Sequence, residues 1–138
     1  MTISTLIPSR TDEYLDACLA AMEQSEPDST ANVIVADNGL SQACRERWPL
    51  ALFLDYTEKC GAFVFSKAIN LCIDAAPLTD DLLVLNDDTR IVTPHWYTKL
   101  RKALCLPKTA LYGMLSFAID GGVGNPEQPD HHVGEVGH

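Results

Sequence analysis

The sequence predicts an α/β fold, a mostly parallel sheet with helices on both faces, and three observations lead there. Strand-like and helix-like segments alternate along the chain. The strand-like segments, such as NVIVA at 32–36 and LLVL at 82–85, are continuous apolar runs, the pattern of strands buried on two sides. A length of 138 residues, 46% hydrophobic and 21% charged, suits one globular core rather than a disordered chain.

Residues 2–7 are a β-prone run that Pro8 is expected to end. Tyr14, Leu15, Cys18, Leu19 and Met22 then recur at helical spacing until Pro27. A second strand at 32–36 closes at the turn Asp37-Asn38-Gly39, and ALFL at 51–54 is a short third. Phe65, Ala68, Ile69, Cys72, Ile73 and Ala76 form the apolar stripe of a second long helix, with Ser66 as its cap and Pro77 just beyond its end. Residues 81–85 make the fourth strand. Thr93 and Pro94 read as a cap and a first-turn proline, and Trp96, Leu100, Ala103 and Leu104 carry that helix toward Pro107. Lys99, Arg101 and Lys102 lie toward its C-terminal half, where positive charge suits the helix dipole. Residues 110–119 have the composition of a fifth strand. Periodicity then stops, so the expected division is a domain at 1–119 and a flexible tail at 120–138.

A net charge of −9, with no stripe of Lys or Arg, argues against nucleic acid as a partner. No run approaches the roughly 18 apolar residues of a membrane span, and MTISTLIPSR lacks the basic flank and cleavage site of a leader. Cys18, Cys44, Cys60, Cys72 and Cys105 are scattered singly, never as C-x-x-C. They read as reduced, core-filling thiols, and the expected location is cytoplasmic.

In parallel sheets ligands sit at the carboxyl ends of the strands. There the sequence places Pro8, Ser9 and Arg10, then Asp37 and Asn38, then Asn86, Asp87 and Asp88. Two adjacent carboxylates repel one another, so a partly buried pair calls for a cation. Oxygen donors suit Mg2+ or Mn2+, and an ion held by one or two carboxylates keeps positions open for phosphate oxygens. The pair therefore suggests a metal-bridged diphosphate. The alternative is that Asp87 and Asp88 are solvated turn residues, Asp88 capping a local turn beside Thr89. Among the histidines, His131, His132 and His138 lie in the tail, and His95 is expected to be exposed in the first turn of its helix.

The order IPSR, IVADNG, GAFVFSKAIN, LLVLNDDT resembles the nucleotide-binding half of family 2 glycosyltransferases of the GT-A fold, the rhamnosyltransferase-like members above all, over residues 3–104. The resemblance implies that Asp88 holds the divalent ion on the diphosphate of a nucleotide sugar and that Asn86 faces the ribose. Asp87, in the variable middle of the motif, is counted with the nucleotide-binding residues. Asp37 would accept a hydrogen bond from the base, or else simply open the Asp-Asn-Gly turn. Pro8 and Ser9 would line the nucleoside. Arg10 and Thr11 stand where an aromatic-Asn pair is usual, and Arg10 would lie on a base or reach a phosphate. Lys67 and Asn70 match the helix motif near the diphosphate, the alternative being a solvated lysine and an asparagine bonded to a nearby loop. Cys72 replaces the glycine usual two residues after that Asn.

The implied function is a glycosyltransferase-like domain that binds a nucleotide-diphospho-sugar through Mg2+ or Mn2+, for transfer of the sugar to an acceptor hydroxyl. No acceptor-binding or catalytic-base segment of the family's kind is recognised after Ile119, so the motifs support donor binding rather than turnover. The alternative is a non-catalytic binding or assembly module retaining the fold. An open sheet edge also leads to the expectation of a homodimer.

Overall fold

The strand Ile3–Ser9 (β1) is buried along its whole length, and the rest of the sheet is laid out around it. The computed structural model describes residues 2–104, except the side chains of Glu58 and Lys59. The expected fifth strand at 110–119, the tail at 120–138, Cys105 and the three tail histidines lie outside the described residues. Met1–Arg101 forms one compact unit.

Three further strands, Val33–Asp37 (β2), Leu52–Asp55 (β3) and Asp81–Val84 (β4), pair in the order β3-β2-β1-β4, every pair parallel. This is an α/β fold with the strand order of a Rossmann-like half. Among the described residues five α-helices accompany the strands, Asp12–Ser25 (α1), Gln42–Arg47 (α2), Tyr56–Cys60 (α3), Phe65–Ala75 (α4) and Trp96–Leu104 (α5), with a 3-10 turn at Ser29–Asn32.

Alternation along the strands divides the core in two. Ile7, Val33 and Val35 face Leu15, Cys18, Leu19 and Met22 of α1, together with Cys44, Leu85, Ile91 and Trp96. Leu6, Ile34 and Ala36 face the other way, onto Ala68, Ile69 and Cys72 of α4 and onto Tyr56. Helices therefore cover both faces, as the continuous apolar runs predict. Each fully buried Leu, Ile or Val side chain contributes roughly 1.5–3 kcal/mol relative to exposure. Among the described residues no helix is long and apolar enough to cross a membrane.

Several local expectations change. β1 runs through Pro8 instead of ending before it. Alternate residues of β1 bond to opposite neighbours: Leu6 O accepts from Leu85 N, while Ser9 O accepts from Asn38 N. Pro8 shares the phase of Leu6, so its missing N–H would point to the β4 side, where pairing has already stopped at Val84. Ser66 is not the cap of α4; Val64 holds that position and no side chain caps it. Phe65 and Ile73, expected in the core stripe, are 47% and 40% exposed, as is Tyr14 at 48%. α4 lies over β1 and β2, and on β4, an edge strand among the described residues, Leu82 and Val84 are exposed. α5 begins at Trp96 because His95 adopts φ +56°, and its amide donates to Ser25 O at 2.9 Å. The short helices α2 and α3 have no counterpart in the sequence reading. In α2 only Cys44 is buried, so there is no period to detect, and the one local signal is Ser41, whose Oγ accepts from Cys44 N at 3.1 Å.

Tyr97 completes the amino end of the sheet. Pairing of β1 with β2 starts at Thr5, leaving the backbone groups of Ile3 without a strand partner on that side. The Tyr97 hydroxyl accepts from Ile3 N at 2.9 Å and donates to Ile3 O at 3.3 Å. Tyr97→Phe is expected to cost roughly 1–3 kcal/mol, because it orphans these groups without changing the ring. Urea unfolding of the two proteins measures it.

Acidic side chains tie α1 to its surroundings. Asp12 accepts from Ser41 N at 2.9 Å, and Asp16 from Arg47 Nε at 3.1 Å and Trp48 Nε1 at 2.8 Å. Glu23 accepts from Asp28 N at 2.9 Å, and Glu26, just past the helix, from Thr98 N at 3.0 Å. The Ser41 hydroxyl and amide hold Asp12 below its ordinary pKa. For the other three, burial pushes upward, but the bonds from Arg47, from Thr30 and from Thr98 respectively outweigh it and leave each lowered. Groups lowered in the folded state stabilise it above their unfolded pKa of about 4 and lose that contribution as pH falls further. Unfolding free energy should therefore be level from pH 7 to 5 and decline below about pH 4, read by denaturant titration at each pH.

Candidate functional site

The strand order reverses between β1 and β4, and in open parallel sheets such a reversal leaves a crevice at the carboxyl ends. The chain leaves β1 through Arg10 and Thr11 and enters α1 at Asp12. Beyond β4, Thr89 N donates to Asn86 O at 3.1 Å, a tight turn with Asp87 and Asp88 in its middle. The Ser9 hydroxyl, on a residue only 3% exposed, donates to Asp87 Oδ2 at 2.7 Å and joins the two strand ends. Arg90 braces the turn from within, its Nη1 donating to Thr89 O at 3.2 Å.

A cavity of about 280 Å³ opens there, lined by Pro8, Ser9, Arg10, Asn86, Asp87 and Asp88 together with Phe63 and Phe65. Arg10 and Asp88 are exposed, and among the described residues neither side chain makes a hydrogen bond or ion pair. Asp87 has one oxygen committed to Ser9 and, among the described residues, one left over. Beneath the turn, Cys18 is buried; burial above all, with the charges of Asp87 and Asp88 adding and Arg90 opposing, pushes its thiol up to about 12. Burial likewise takes Cys44 to about 12 and Cys72 to about 11. Upward shifts of this kind favour the thiol over the nucleophilic thiolate at neutral pH.

The cavity thus gathers the sequence-derived residues of the first and fourth strand ends, but not the remaining three. Asp37 is 1% exposed at the end of β2. Its Oδ1 accepts from Gly39 N at 3.0 Å and Leu40 N at 2.7 Å, and its Oδ2 from Arg45 Nε at 2.5 Å. Gly39, at φ +104°, supplies the left-handed backbone this turn requires. Both oxygens of Asp37 thus hold the β2–α2 connection. Lys67 and Asn70 are exposed on α4 and are not among the lining residues.

The sequence reading missed Phe63 entirely and assigned Phe65 to the core. The available signal was Phe-Val-Phe after Gly61 at the start of a helix, two large rings with no strand to bury them.

Among the described residues no group of three or more His, Cys, Asp or Glu side chains stands at metal-ligand spacing. The donors fit an ion held by few protein ligands: the unengaged Asp88 carboxylate, the remaining Asp87 oxygen and the nearby Asn86 amide, all hard oxygens. No family model, no curated protein and no solved structure matches the chain.

Proposed function

We propose that this domain binds a nucleotide-diphospho-sugar through Mg2+ or Mn2+, in the manner of the family 2 glycosyltransferases it resembles. One observation carries the reading: a carboxylate with no partner among the described residues, Asp88, shares a cavity with Asp87, Asn86 and Arg10 at the switch point of a parallel sheet. Asp88 offers both oxygens to the cation, while the Ser9 hydroxyl holds Asp87 in one orientation. Asn86 stands ready for ribose hydroxyls, and Arg10 for phosphate oxygens. A divalent ion, when bound, supplies the charge that makes a diphosphate a good leaving group.

A second reading, a binding or assembly module without turnover, is favoured by the lining itself. Among the described residues the lining holds no acid or imidazole beyond Asp87 and Asp88, and neither of those is free of the proposed cation to deprotonate an acceptor hydroxyl. A cytoplasmic location, with free thiols among the described residues, and pairing of two copies along an open sheet edge belong to the same proposal. The test is calorimetric titration with nucleoside diphosphates and their sugars, with Mn2+ and with excess chelator. Binding that requires Mn2+ supports the donor reading. Equal affinity in chelator, or no binding at all, overturns it.

A further inference from the structure

We infer that Phe63 and Phe65 form a stacking wall for the base of the nucleotide, so that the site holds its ligand by the face of the base and not by its edge. This rests on the diphosphate reading of the same cavity and goes beyond it by naming the group that holds the base.

Both rings line the cavity while 42% and 47% exposed, beside the two carboxylates of the Asp87–Asp88 turn. Their exposure does not come from a loose loop. Tyr56 is fully buried; its hydroxyl accepts from Val64 N at 2.7 Å and donates to Ala62 O at 2.8 Å. One side chain thus pins the segment that carries Phe63 on both flanks. The Tyr56 ring also meets the Phe63 ring at 5.6 Å between centroids, tilted by 52°, a favourable aromatic arrangement. Gly61, at φ +72°, provides the bend that brings the segment round. Phe65 opens α4 and stands one turn ahead of Ala68 and Ile69, which are buried against the sheet. It continues their stripe past the strand ends and into the cavity.

Two large apolar faces held rigid and half in water lose part of the burial that a core position would give them. A planar ligand ring restores it. The residue expected to read the base, Asp37, has both oxygens engaged at 3.0 Å or less, so edge recognition by that carboxylate is already used up. Stacking needs no such group, and it tolerates every base because each has a π face. At about 280 Å³ the cavity falls just below the roughly 300–1,000 Å³ typical of small-molecule sites, so part of a nucleotide sugar is expected to lie outside it.

The experiment measures affinity in Mn2+ for UDP, ADP, GDP and inorganic pyrophosphate, for the wild type and for the Phe63→Ala/Phe65→Ala and Phe63→Leu/Phe65→Leu double variants. Both variants are expected to lose roughly 10- to 100-fold for every nucleoside diphosphate while keeping wild-type affinity for pyrophosphate. The Leu pair retains apolar bulk without ring faces, so its loss isolates stacking and guards against a folding defect in the Ala pair. In the wild type the three bases should agree within about threefold. Unchanged nucleotide affinity in the variants, an equal loss for pyrophosphate, or strong preference for one base overturns the stacking wall and leaves the diphosphate reading standing. Failure of every diphosphate to bind the wild type overturns both.

Discussion

Asp88→Asn is expected to remove metal-dependent nucleotide binding while the protein stays folded. The carboxylate sits exposed in the middle of the Asn86–Thr89 turn and has no partner among the described residues. Asn suits turn backbone as well as Asp does, so the change subtracts charge at nearly constant volume. Loss of even an outer partner costs a metal site roughly 10- to 100-fold, and loss of the principal carboxylate should cost at least that. Asp87→Asn should cost less, because one Asp87 oxygen already serves Ser9. Calorimetry with Mn2+ gives the affinities and thermal melting gives the fold. A variant that melts well below the wild type, or binds as the wild type does, would count against Asp88 as the cation's ligand.

Asp37→Ala is expected to act on stability first. The substitution orphans the amides of Gly39 and Leu40 and strands the guanidinium of Arg45. Removing one member of a buried, hydrogen-bonded ion pair costs roughly 3–5 kcal/mol. The figure here should be nearer 2–4 kcal/mol, roughly, because Arg45 is 37% exposed and can turn to water. Against a total of about 5–15 kcal/mol for an ordinary domain, that lowers the melting temperature by roughly 10 °C or more. Asp37→Asn should be milder, since an amide oxygen still accepts from Gly39 and Leu40. If Asp37→Ala melts like the wild type and loses only nucleotide affinity, the carboxylate belongs to the base after all.

What could be read in advance divides along the range of the forces involved. The buried runs of β1 and β2 declared a parallel sheet because an apolar strand without alternation has two faces to cover, and both faces proved covered. The stripe Leu15, Cys18, Leu19, Met22 declared α1 because a period of 3.6 is a property of neighbouring residues. The Asp-Asn-Gly turn was legible for the same reason. Whether Asp37 would face a ligand or hold its own loop was not, since that depends on Arg45, carried in by a helix too short to show a period. Phe65 obeyed the helical stripe in sequence and left the core in space, because a period tells which way a side chain points and not where the sheet beneath it ends.

The sequence by itself determined the four described strands, the three longer helices and the residues at the strand ends. Which strand ends would meet was decided only by the tertiary structure. Ser9 and Asp87 stand 78 residues apart in the chain, yet one hydrogen bond joins them. Their meeting follows from the β3-β2-β1-β4 order, which sets β4 beside β1 and not beside β3. That order is a matter of how two apolar faces divide their helices, and no local pattern of residues encodes it.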